Sequence, residues 1–159
     1  MFSVGDRIVY PMHGIGVIDS IESKTVLGDT QDYYTLRFDS GSTSVFVPAS
    51  AAEKTGMRRP SCENDCREAL LRLAVNDETH PNGEETNWNK RYRENLEKLR
   101  TGGIFDEVDV IRKLSGREAK RGLSSGEKRM LAESSAMLAG ELAEVLGGEP
   151  EEYIRQMQK

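Results

Sequence analysis

The sequence predicts an α+β protein in two parts: a small, strongly bent, partly open β-barrel, then a compact all-α domain. Two observations carry this. The first third is a series of short runs rich in Val, Ile, Tyr, Phe and Thr, separated by turn chemistry. Beyond about residue 60 no such run recurs, and apolar residues return at helical spacing instead. The expected division is residues 1–55 for the β domain, 56–60 for a linker and 61–159 for the helical domain.

The strand runs are Arg7–Pro11, Ile15–Ser23, Asp32–Asp39 and Thr43–Pro48, with "MHG", "LGDTQ" and "DSGS" as the turns between them. Tyr34, Leu36 and Phe38 share one face of their strand, and Thr35 and Arg37 share the other. Four or five short strands in about 50 residues cannot make a large sandwich, so a bent small barrel is expected. Gly5, Gly14, Gly16 and Gly41 suit its tight corners.

The stretch "ASAAEKTGMRRPS" breaks this pattern with small residues, Gly56 and Pro60. Ser61 is placed to cap a helix running to about Ala74, with Leu70, Leu71 and Leu73 on its apolar side. A polar loop, "NDETHPNGEE", follows. Thr86 or Asn87 then caps a helix in which Tyr92, Leu96 and Leu99 recur at i, i+4, i+7 before "TGG" ends it. Ile104, Val108, Ile111 and Leu114 form the stripe of a third helix. Ser124 and Glu127 form an S-x-x-E capping box ahead of a fourth, with Met130, Leu131, Met137, Leu138, Leu142, Val145 and Leu146 as its apolar set. Gly147-Gly148-Glu149-Pro150 stops it, leaving a terminal turn or short helix.

Composition narrows the function. No apolar run approaches the roughly 18–20 residues of a membrane span, and no signal-peptide pattern opens the chain, so a cytoplasmic location is expected. The two cysteines, Cys62 and Cys66, read as free thiols, and C-x-x-x-C without a second pair is a poor zinc signature. The two histidines, His13 and His80, lie far apart and offer no nucleophile–base pair. "SGEKR" lacks the spacing of a phosphate loop. The expectation is a non-enzymatic protein without metal, cofactor, small-molecule substrate or membrane partner.

The formal net charge is −5, yet the window from Trp88 to Arg129 holds 12 Lys/Arg against 7 Asp/Glu. It is therefore locally basic inside an acidic chain, which points to a polyanion or an acidic protein as partner. The one tryptophan, Trp88, stands at the front of that window. Two readings of it are open. The ring packs on a neighbouring helix, or it projects as an apolar wedge between base steps, with Arg91 and Arg93 gripping phosphate beside it.

"VGDRIVYPMHGIGVI" (Val4–Ile18), "TNWNKRYRENLEKLRTGG" (Thr86–Gly103) and "RGLSSGEKRMLAESSAMLAGEL" (Arg121–Leu142) resemble, in order and spacing, stretches of the CarD/CdnL family of bacterial transcription regulators. A module similar to the first also occurs in transcription-repair coupling factors, but no helicase motor accompanies it here. The resemblance implies a Tudor-like β domain that docks on the RNA polymerase β subunit. It also implies a helical domain that contacts promoter DNA at the upstream edge of the melted bubble, in the minor groove. On that account Trp88 wedges at the fork and lengthens the life of the open complex, ribosomal RNA promoters being the natural test case.

Carried over residue by residue, the DNA-binding set is Trp88, Arg91, Arg93 and Lys128, with Arg121 and Arg129 added for charge and proximity. For the polymerase, Lys24 and the strand Ser44, Val45, Phe46, Val47 and Pro48 are the candidates, by addition of an edge strand to a partner sheet. Phe46 departs from the family pattern, in which a basic residue is common, and it either fills the barrel core or meets the partner. The alternative function is a protein-interaction module whose basic face binds an acidic protein without touching DNA.

Overall fold

The computed structural model describes residues 2–39, 41, 44–74 and 87–158. The β part is one antiparallel sheet in sequence order: β1 (Arg7–Tyr10), β2 (Gly14–Val26), β3 (Asp29–Phe38) and β4 (Ser44–Pro48). It curls into a half-barrel, as the short runs predict. One 3-10 turn, Ala49–Ala51, closes it. The helices are α1 (Glu63–Ala74), α2 (Trp88–Thr101), α3 (Ile104–Lys120), α4 (Ser125–Leu146) and α5 (Pro150–Met157). Among the described residues no helix is long and apolar enough to cross a membrane.

The β2–β3 hairpin is longer than expected. "LGDTQ" is not a five-residue turn: β2 continues to Val26, β3 begins at Asp29, and Leu27-Gly28 alone reverse the chain. Both carry positive φ (51° and 84°), the twist that matches a two-residue hairpin. Further down, the register shifts between Ile18 and Ser20, and this bulge lets the strand bend. Tyr34, Leu36 and Phe38 fall inside with Ile8, Ile18 and Val47, as the alternation predicts.

β1 is covered on both faces. Ile8 points into the barrel core, while its neighbour Val9 packs with Ile15 against Leu99, Val110, Leu114, Met130 and Met137 of the helices. The two domains thus share an apolar seam. Val9 also exchanges two backbone hydrogen bonds with Arg58, at 2.8 and 3.1 Å. The stretch expected as a linker, residues 56–60, is held closely. A Cβ on Gly56 would lie 2.0 Å from the Arg100 carbonyl oxygen, Gly56 has φ +88°, and Met57 is buried in the barrel core.

Charge completes the seam. Arg58 donates to both carboxylate oxygens of Glu141 at 2.7 Å and to Glu107 Oε1 at 3.1 Å. The Ser61 N–H donates to Glu141 Oε2 at 2.7 Å. α1 begins two residues after Ser61, at Glu63. Arg7 of β1 reaches Glu144 of α4 at 2.9 Å and also pairs with Asp39.

The remaining helical core joins Cys66 and Ala69 of α1 to Ile104, Val108 and Ile111 of α3 and Leu138 and Leu142 of α4. The third-helix stripe is buried as predicted, and the Ser124/Glu127 capping box is formed in full. Cys62 is exposed and Cys66 buried, both free. Burial and the nearby Glu141 carboxylate push the Cys66 thiol up to about 11. His13 lies on Phe38 with ring centroids 5.1 Å apart. Ser42, Thr43, the loop 76–85 with His80, and the alternative cap Thr86 lie outside the described residues.

Candidate nucleic-acid and protein interfaces

The side chain of Asn87 accepts from the Lys90 N–H at 3.2 Å, so Asn87 caps α2 and Trp88 becomes its first residue. One turn on, Tyr92 lies under the indole, with centroids 5.4 Å apart and planes 20° from parallel. The indole Nε1 donates to Ser124 Oγ at 2.9 Å. Trp88 is thereby tied to the start of α4, yet it stays 43% exposed. The ring packs on its neighbours, as one sequence reading expects, and still presents surface to solvent.

The cations around it divide. Arg93, Lys128 and Arg129 are exposed, as is Arg121 at the C-cap of α3. Arg129 makes a 3.0 Å surface pair with Glu133, a kind that adds little stability and exchanges readily for another anion. The chain positions of Arg121, Lys128 and Arg129 keep them within five residues of Ser124, and hence at the Trp88 end of the domain.

Arg91 is different. It is only 9% exposed and binds Glu127 through two bonds, Nε–Oε2 at 2.9 Å and Nη2–Oε1 at 3.1 Å. Arg91, expected from the sequence to grip phosphate, has its guanidinium turned inward onto a buried carboxylate. Glu127 itself is buried, which opposes ionisation. The Arg91 and Ser124 hydrogen bonds and the guanidinium charge outweigh that cost and hold its carboxyl below the usual range. Tyr92, Ser124 and Glu127 are the residues the sequence did not assign to this site. The capping box marked the last two as helix-start residues, and no local signal tied them to Trp88.

In the β domain, β4 forms an edge of the sheet. Its side chains split by the period of two. Val47 is 2% exposed in the barrel core and Val45 packs against it, so neither presents a side chain outward, and an added strand would meet them through the backbone alone. Ser44 and Phe46 face out and Pro48 is half-buried. Phe46 is 53% exposed, which removes the reading that it fills the core. The Lys24 ammonium lies 3.7 Å from the Phe46 ring centroid and 3.9 Å from Glu22. Lys24 and Phe46 therefore form one patch beside the edge.

Comparison with known proteins places residues 2–61 in a "CarD-like/TRCF RID domain" model and residues 74–158 in a "CarD, C-terminal domain" model. A Bacillus subtilis (strain 168) protein named "Putative transcription factor YdeB" is 33% identical over 155 residues, covering 98% of each chain. The solution structure of the 72-residue N-terminal domain of Myxococcus xanthus CarD is 32% identical. It covers 37% of this chain and 79% of its own, with a TM-score of 0.33.

Proposed function

The chain belongs to the CarD family of transcription factors, and from that premise we propose that it regulates transcription by docking on the RNA polymerase β subunit and stabilising the promoter open complex. The β domain docks through the backbone of edge strand β4, with Lys24 and Phe46 beside it. The helical domain brings Trp88 to the upstream fork of the bubble, where its indole enters the minor groove and hinders reannealing. Arg93, Arg121, Lys128 and Arg129 hold the flanking phosphates.

The observation that carries this reading is the indole of Trp88, half exposed at the head of a basic helix end and braced by Tyr92 and Ser124. An apolar ring presented rigidly among cations suits a partner with stacked bases and a charged backbone. The charge surplus is small, so free duplex DNA is bound weakly and polymerase supplies the local concentration. A tenfold longer open complex needs only about 1.4 kcal/mol.

The test is the lifetime of open complexes on a ribosomal RNA promoter with cognate polymerase. The native chain lengthens it, and Trp88→Ala loses the gain while still binding the β subunit. Equal lifetimes with both proteins would reduce Trp88 to a packing residue. Binding to an acidic protein, with no polymerase-dependent protection of DNA, would establish the interaction-module reading instead.

A further inference from the structure

We infer that Ser124, held by the Glu127–Arg91 pair, is the positioning residue of Trp88, and that Arg91 acts on the DNA response through the indole rather than through phosphate. This rests on the wedge reading given above. The argument starts from the capacity of one hydroxyl: one donor and two acceptor sites. Ser124 Oγ uses all three. It donates to Glu127 Oε1 at 3.1 Å, accepts from the Glu127 N–H at 3.2 Å, and accepts from Trp88 Nε1 at 2.9 Å.

A hydroxyl with both other bonds fixed cannot rotate freely, so its remaining lone pair points at the indole. Glu127 is in turn fixed by the two-bond fork of Arg91, in a site where Glu127 is only 1% exposed. The chain Arg91–Glu127–Ser124–Trp88 thus ties the first and fourth residues of α2 to the start of α4. Tyr92 restrains the face of the ring and Ser124 restrains its edge. A ring that must meet a base step gains most from being held before the encounter, since ordering it then costs nothing further.

Trp88 is the only tryptophan, so its emission reports the seat directly and without DNA. In the full-length chain, Ser124→Ala and Ser124→Gly shift the emission maximum to the red and raise quenching by acrylamide. Glycine tolerates the cap position, so the second variant separates loss of the hydroxyl from loss of the helix start. Ser124→Thr retains the native spectrum. In the open-complex assay the two hydroxyl-free variants lose most of the gain that depends on Trp88, Ser124→Thr keeps it, and Ser124→Ala changes nothing further in a Trp88→Ala background.

Arg91→Gln, which removes the charge, shifts the emission and leaves the salt dependence of DNA binding unchanged, whereas loss of a phosphate contact would lower that slope by about one. Native emission in both hydroxyl-free variants, or an intact lifetime gain despite altered emission, would overturn the inference. So would a lower salt slope for Arg91→Gln with native emission. Absence of any lifetime gain from the native chain would sink the wedge reading, and the spectra would still decide the seat.

Discussion

The seam between the domains and the Trp88 end of the helices invert the usual distribution of groups in opposite senses. At the seam, charge is inside: Glu107 and Glu141 are buried and share Arg58. At the Trp88 end, apolar surface is outside, with the one indole half in water. Each arrangement is costly in isolation. The difference lies in where compensation comes from. The seam finds its partners within the chain and so fixes the two domains against each other. The Trp88 end is left incomplete by the chain itself, which is what a binding surface requires.

The contrast predicts unequal responses to substitution. Glu141→Ala leaves the Ser61 N–H without its partner and Arg58 with Glu107 alone, and is expected to cost about 1–3 kcal/mol in denaturant melts. In the same melts Trp88→Ala is expected to cost about 1 kcal/mol or less, as exposed positions generally do. A Glu141→Ala loss as small as that of Trp88→Ala would erase the distinction.

A second test sharpens the seam by pH. Burial, then the neighbouring Glu141 carboxylate, pushes the Glu107 carboxyl up to about 8 despite Arg58. Its Oε2 is buried without a hydrogen-bond partner. The groups facing it are Arg58, Glu141 of α4 and Asp106 of its own helix. The unfolded chain loses this proton near 4.5, so the Glu107 contribution to stability is greatest below that value, declines as pH rises to about 8, and is flat beyond. Glu107→Gln therefore gains on the native chain across that window, by melts at pH 5, 7 and 9. A parallel pair of curves would mean that Glu107 titrates normally. Glu141 and Glu127 have the opposite sign: their carboxyls are lowered, and their contribution fades as pH falls below about 4.5.

The smallest effect is expected at the hairpin tip. Leu27 is fully exposed with φ 51°, so it carries backbone strain and no packing. Leu27→Asn matches the turn and should raise stability by about 1 kcal/mol. Unchanged or lower stability would show that Leu27 makes a contact of its own.

These regions also differ in how legible they are from sequence. Local patterns carried the strands, the helix stripes, the Asn87 cap and the capping box, because alternation and i, i+4 spacing act within a few residues. The β2–β3 turn escaped, since leucine at a positive-φ position carries no turn signal. The burial of Arg91 escaped because its partner, Glu127, lies 36 residues away and nothing local distinguishes a buried arginine from an exposed one. The same holds for Arg58 and Glu141, 83 residues apart. Trp88 was legible as a functional candidate because a lone tryptophan among cations is a compositional anomaly. Its seat was not, since that depends on where α4 begins in space.

The backbone bridge between Val9 and Arg58 has a consequence for stoichiometry. An open sheet has two edges, and assembly into fibres needs both to be adhesive. Here Arg58 occupies part of the β1 edge, so among the described residues β4 is the longer free one. A sheet plugged on one side can accept a single visiting strand and cannot pass the pairing on. Under the proposed edge-strand docking, this leaves one receptor for one guest rather than a link in a chain.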